Sequence, residues 1–110
     1  MFFTPVFYQS ANDNSKSSSN PTNEIAKLEQ NNPNPFMEST VIKFYIPSYS
    51  LNAVIKVYSM SGIEMKSFNI EAKGNGAINV SGNTFAPGTY VYTLIIDGKQ
   101  VDSKYMTLTK

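Results

Sequence analysis

An immunoglobulin-like antiparallel β-sandwich, hence an all-β fold, is the class this sequence predicts, and three observations predict it. From residue 39 onward, apolar and polar residues alternate in short runs with a period of two. Turns rich in Gly, Asn and Pro separate the runs at close spacing. No run carries the 3.6-residue period of an amphipathic helix. At 110 residues the chain is the size of one domain.

The N-terminal part reads differently. Residues 1–8 (MFFTPVFY) are apolar and aromatic. They lack a basic start and a small-residue cleavage site, and Pro5 interrupts them, so they do not read as a signal peptide. A cargo remnant or a misassigned start is the expectation. Residues 10–23 (SANDNSKSSSNPTN) carry too little apolar surface to offset the entropy of ordering. Residues 1–23 are therefore expected to be a flexible linker or cargo remnant, and residues 24–110 the folded domain. Residues 24–30 (EIAKLEQ) leave three alternatives open: a helical turn, a short strand near Leu28, or an ordered linker end. In residues 31–36 (NNPNPF), Pro33 and Pro35 fix φ and push Asn32 and Asn34 towards extended backbone. A rigid, extended approach to the fold follows, anchored by Phe36.

The strands come next. Thr40, Ile42, Phe44 and Ile46 share one face, and Pro47 ends that strand. Ala53, Ile55 and Val57 share another, closed by the turn at Ser61 and Gly62. A strand over residues 64–70 offers Met65, Phe68 and Ile70 to the core, with an imperfect period that predicts a bend or bulge near Ser67. Lys73, Gly74, Asn75 and Gly76 read as a turn, and Ile78 and Val80 as a short strand. Phe85 is expected to plug the sandwich edge. Residues 89–96 (TYVYTLII) are apolar on both faces, which predicts a central strand. Asp97 and Gly98 form a two-residue hairpin signal. The return strand runs from Lys99 to Leu108, with Val101, Met106 and Leu108 as apolar contacts.

Missing residue types narrow the function. The chain has no Cys, His or Trp. Disulfides, thiolate chemistry and Ser-His-Asp or Cys-His catalysis are therefore excluded. The commonest zinc ligands are absent too. A net charge of +1 with scattered Lys argues against nucleic acid. No run is long and apolar enough to span a membrane as a helix. Glu24, Glu29, Glu38, Glu64, Glu71, Asp97 and Asp102 read as surface carboxylates, with no spacing that pairs two across a pocket. Lys43, Lys56, Lys66 and Lys104 read as solubilising residues at sheet edges. Tyr45, Tyr49, Tyr58, Tyr90, Tyr92 and Tyr105 read first as cross-strand packing, and second as a glycan- or strand-binding face. No enzyme and no cofactor are expected.

Several short motifs resemble the type A C-terminal sorting domain of the type IX secretion system, the Por secretion system of Bacteroidetes-type bacteria. Leu28 and Glu29 lead into Gln30, Asn31, Asn32, Pro33, Asn34, Pro35 and Phe36, which resemble the family's opening motif. Residues 53–62 (AVIKVYSMSG) resemble its strand with a Tyr and a closing glycine, here Gly62; Ser59 stands where an acidic residue or Asn is usual. Phe85, Pro87, Gly88 and Tyr90 resemble its Leu-x-x-Gly-x-Tyr step, with Phe in place of Leu. Asp97, Gly98 and Lys99, with Lys104, Met106, Leu108 and Lys110, resemble its last hairpin. The resemblance covers residues 27–110.

The resemblance implies an immunoglobulin-like module at the end of a cargo protein that first crosses the inner membrane by a cleaved signal peptide. In transit through the periplasm, a shuttle protein brings it to the outer-membrane translocon. A sortase-like cysteine protease cuts the linker, and the cargo reaches the cell surface or is released. The module itself is expected to be a monomer fused to its cargo. An extracellular adhesin or carbohydrate-binding sandwich is the alternative.

Overall fold

The computed structural model of the protein describes residues 24–109. The linker expected over residues 1–23, and Lys110, lie outside the described residues. Seven strands form two antiparallel sheets: β1 (Lys27–Leu28), β2 (Ser39–Ile46), β3 (Ala53–Ser59), β4 (Glu64–Ile70), β5 (Gly74–Ser81), β6 (Gly88–Ile96) and β7 (Lys99–Leu108). One sheet has the order β1-β2-β5 and the other β4-β3-β6-β7. In immunoglobulin lettering these are A-B-E and C′-C-F-G. A 3-10 turn, Gly82–Thr84, joins β5 to the loop before β6.

Alternation in the sequence becomes burial. Ile42, Phe44 and Ile46 of β2 and Val80 of β5 face Ala53, Ile55 and Val57 of β3. Tyr90, Tyr92, Leu94 and Ile96 of β6 and Met106 and Leu108 of β7 complete the core. β6 lies between β3 and β7, as its two apolar faces predict. Asp97 and Gly98 both have positive φ (51° and 81°), the signature of a tight two-residue hairpin turn.

Several expectations are corrected. Residues 27 and 28 are a strand paired with Tyr45 and Phe44, so the helical-turn alternative falls. Residues 33–35 bend instead of running extended, and the Asn32–Pro33 and Asn34–Pro35 peptide bonds are both cis. The stretch read as a turn at Gly74, Asn75 and Gly76 is the start of β5, paired with Ile46, Tyr45 and Phe44. Glycine at 76 suits a strand here because a Cβ would sit 2.6 Å from the Phe44 ring.

Met65 and Val101 are exposed, not core. In the β3–β4 pairing Val57 faces Lys66 and Tyr58 faces Glu64, so Met65 is the extra residue of a bulge. In the β6–β7 pairing Leu94 faces Asp102 and Ile95 faces Gln100, so Val101 is the extra residue of another. The irregularity expected near Ser67 is therefore a bulge two residues earlier, at Met65. It puts Lys66 on the core side at the sheet edge, its Nζ 5.5 Å from the Phe68 ring centroid. Phe68 and Ile70 pack, partly buried, against the core.

Candidate functional site

The opening motif is a strap that joins the two sheets. Asn32 exchanges backbone hydrogen bonds with Val41 of β2, at 2.9 and 3.0 Å. Four residues on, the Phe36 N–H donates to Thr107 O at 2.9 Å, and Phe36 O accepts from Thr109 N at 2.8 Å. Phe36 thus makes a parallel bridge with Leu108, and its ring is only 2% exposed. Side chains extend the seam along β7. Gln30 Nε2 donates to Tyr105 O at 2.6 Å, and Asn34 Oδ1 accepts from Thr107 N at 3.0 Å.

Beneath the strap lies a fully satisfied polar network. Asn31 is 3% exposed and Thr40 is buried completely. Asn31 Nδ2 donates to Thr40 Oγ1 at 3.0 Å and to Pro33 O at 3.1 Å; its Oδ1 accepts from Gln30 Nε2 at 2.7 Å. Thr40 Oγ1 donates to Pro33 O at 2.7 Å. The Tyr92 hydroxyl, from the centre of β6, accepts from Asn31 N at 2.8 Å and donates to Glu29 O at 2.7 Å. Burial pushes the Tyr92 hydroxyl up to about 12, against a smaller opposing effect of the Asn31 N–H. A buried polar group with both partners in place fixes one geometry, because losing either leaves an uncompensated group.

The remaining motif residues sort by the end of the sandwich they occupy. Gly88 pairs with Leu108, and Tyr90 with Met106, next to the strap. The Tyr90 hydroxyl donates to Ala86 O, four residues back, and its ring centroid lies 5.0 Å from that of Phe85. This is the tyrosine corner of immunoglobulin-type sandwiches, at the start of strand F. Pro87 is exposed. Gly62, at φ 91°, closes the β3–β4 turn, where its N–H donates to Ser59 O. Ser59 Oγ accepts from Ile63 N at 3.1 Å, so the hydroxyl does the work of an acidic or Asn acceptor. Lys104 faces Tyr92 across β6 and lies 3.5 Å from Asp102.

Asp97, Gly98 and Lys99 sit at the opposite end, apart from the strap. Asp97 Oδ1 accepts from Leu51 N and Asn52 N, at 2.9 and 2.8 Å, which ties the hairpin to the loop before β3. Glu24 works the same corner. Its carboxylate accepts from Ser48 Oγ (2.6 Å), Ser48 N (2.7 Å) and Tyr45 OH (3.0 Å). The Ser48 hydroxyl first, then its N–H and the Tyr45 hydroxyl, hold that carboxyl below its ordinary range. These two carboxylates are structural acceptors, where the sequence suggested plain surface charge.

Sequence reasoning placed Thr40 on a strand face and Tyr92 in cross-strand packing without seeing their polar roles, and did not single out Gly82. Gly82 N donates to Glu38 O at 2.7 Å, and a Cβ there would lie 2.6 Å from Met37 O. An aromatic with its hydroxyl in a doubly apolar strand was the available signal for Tyr92, since a buried hydroxyl needs a partner. Among the described residues, no three His, Cys, Asp or Glu side chains come together to hold a metal ion. Nor is any helix there long and apolar enough to cross a membrane.

A solved chitinase, ChiW from Paenibacillus sp. str. FPU-7, described as a cell-surface-expressed multi-modular enzyme machinery, is similar to this chain. The match has a TM-score of 0.54 and 22% identity, and covers 88% of this chain but 9% of the chitinase. At that identity the likeness shows a shared fold alone. No curated protein matches the chain. The sequence model of the secretion system C-terminal sorting domain family matches residues 19–107. The chain therefore belongs to that family: it is a C-terminal sorting signal that acts through the type IX secretion machinery to send the protein bearing it to the cell surface or out of the cell.

Proposed function

We propose that the sorting signal is a composite, made of the strap at residues 30–36 and the terminal strand it holds, and that it is legible only in the folded domain. The observation that carries this is the pair of hydrogen bonds from Phe36 to Thr107 and Thr109. Two sequence motifs some 70 residues apart meet there on one surface. Asn32, Pro33, Asn34 and Pro35 remain exposed along the seam, available to a reader.

In this reading residues 24–110 are the module and residues 1–23 the connection to the cargo. Shuttle and translocon proteins of the outer membrane bind the folded module during transit through the periplasm. A sortase-like cysteine protease then cuts the connection upstream of Glu24 and leaves the folded module whole. The module works as a monomer fused to its cargo, performs no catalysis, and takes neither a cofactor nor nucleic acid.

The test places the chain behind an exported fluorescent reporter in a host that has this pathway. The intact module delivers the reporter outside the cell. Deleting residues 105–110, or combining Gln30→Ala with Asn34→Ala, lowers delivery at least tenfold. Unchanged delivery from both variants would sink the composite signal.

A further inference from the structure

Each sheet has two edges, and three of these four edges are blocked by identifiable devices. β1 is two residues long. β4 carries Glu64, Lys66 and the bulge at Met65. β7 carries Lys99, Asp102, Lys104 and the bulge at Val101 in its first half, and is sealed by Gln30, Asn34 and Phe36 in its second. Short length, charge, bulges and covering segments are the usual means of preventing edge-to-edge pairing.

β5 has none of these. Its eight residues, Gly74–Ser81, include no charge and no proline. They pair with β2 without a register shift, from Ser39 opposite Ser81 to Ile46 opposite Gly74. No strand lies beyond β5 among the described residues. The direction of its free groups follows from its neighbours. Gly82 N donates to Glu38 O, and Val41 and Lys43 bond the other way, towards Asn32 and Glu29. Antiparallel alternation then turns the N–H and C=O of Gly74, Gly76, Ile78 and Val80 towards β2, and those of Asn75, Ala77, Asn79 and Ser81 outward. The side chains of Asn75, Ala77 and Asn79 are small and exposed, and among the described residues no neighbouring strand covers these groups.

We infer that the free edge of β5 is a strand-addition site for an extended, uncharged segment of a partner protein in the export machinery. This rests on the sorting role proposed above and names the surface that takes the partner. The chemistry of the occupant follows from the edge. An added strand alternates, with apolar side chains beside Ile78 and Val80 and small polar ones beside Asn75 and Asn79, matching an edge strand that itself carries no charge. A second copy of the chain fits less well. The edge is one strand deep and about 26 Å long at ~3.3 Å per residue, too little to reach the ~1,200 Å² that stable dimers bury. A signal that must be released after use suits a small, transient contact.

The test uses the full chain behind the exported reporter. Ala77→Pro removes an outward N–H and leaves the ladder to β2 intact, because proline is tolerated where an edge N–H faces solvent. Asn75→Lys with Asn79→Lys places charge along the same edge without altering the backbone. Both variants are expected to lower secretion at least tenfold, to melt within a few degrees of the parent, and to sediment as the parent does. Parental secretion from both would overturn the inference. So would a parent that sediments as a dimer which both variants split, since the edge would then belong to a second copy. Retention of the unaltered fusion in the periplasm is a different failure: it sinks the sorting role, and this inference with it.

Discussion

The Tyr92 hydroxyl is the single polar atom on which the strap depends most. Tyr92→Phe keeps the ring and strands Asn31 N–H and Glu29 C=O beneath the strap. Of the two, the Asn31 N–H is buried, and leaving it unpartnered costs about 1–3 kcal/mol; a domain of this size loses on the order of 4–8 °C of melting temperature per kcal/mol. The hydroxyl also gives a pH signature. Its pKa rises from 10 unfolded to about 12 folded, so between these values the unfolded chain releases its proton first. The unfolded state then binds fewer protons, and stability falls as pH rises. At about 1.4 kcal/mol per unit this amounts to roughly 2–3 kcal/mol, fully present below pH 10 and gone above pH 12. Urea titrations across that range should show the fall in the parent and a smaller one in Tyr92→Phe; identical slopes would remove Tyr92 from this role. Glu24 acts in the opposite direction, since its lowered pKa contributes stability that is lost in acid.

At the scale of elements, the strands were legible because period-two alternation and core burial have one cause. Thr40, Ile42, Phe44 and Ile46, read as one face, are all buried. The misreadings share a cause as well. A bulge inserts one residue and reverses the phase, so Met65 and Val101 look like core residues in sequence and face solvent in the fold. Met65→Lys and Val101→Lys should therefore change stability by no more than about 0.5 kcal/mol. Met106→Ala, at a fully buried position, should cost about 2–5 kcal/mol. Chemical denaturation separates the two cases, and a large loss from either Lys variant would return that residue to the core. The strand expected at Ile78 and Val80 is β5, and only its start was misread, for a different reason. Gly74, Asn75 and Gly76 are turn-formers by local preference, but they pair with Ile46, Tyr45 and Phe44, and the Phe44 ring leaves room only for glycine at 76.

Over the whole molecule, the order and spacing of short motifs revealed the family, while the way they meet was not legible. Nothing local to Gln30 or Asn34 says that each reaches β7, because those contacts span 75 and 73 residues of sequence. The sequence also grouped Asp97, Gly98 and Lys99 with the other motif residues, whereas the fold sets them at the far end, anchored to Leu51 and Asn52. In the proposed composite signal, the strap is what holds the terminal strand in place. β7 is held on one side by β6 and on the other by Phe36, which bonds to Thr107 and Thr109.

Amide hydrogen exchange at Thr107 and Thr109 in the intact chain tests this most directly. Thr107 donates to Asn34 Oδ1 and Thr109 to Phe36 O, both across the seam. Slow exchange at both amides is predicted, with Asn34→Ala releasing Thr107 while the β6 amides stay protected. Exchange at unstructured-peptide rates in the parent would show a free terminal segment and contradict a signal built from strap and strand together.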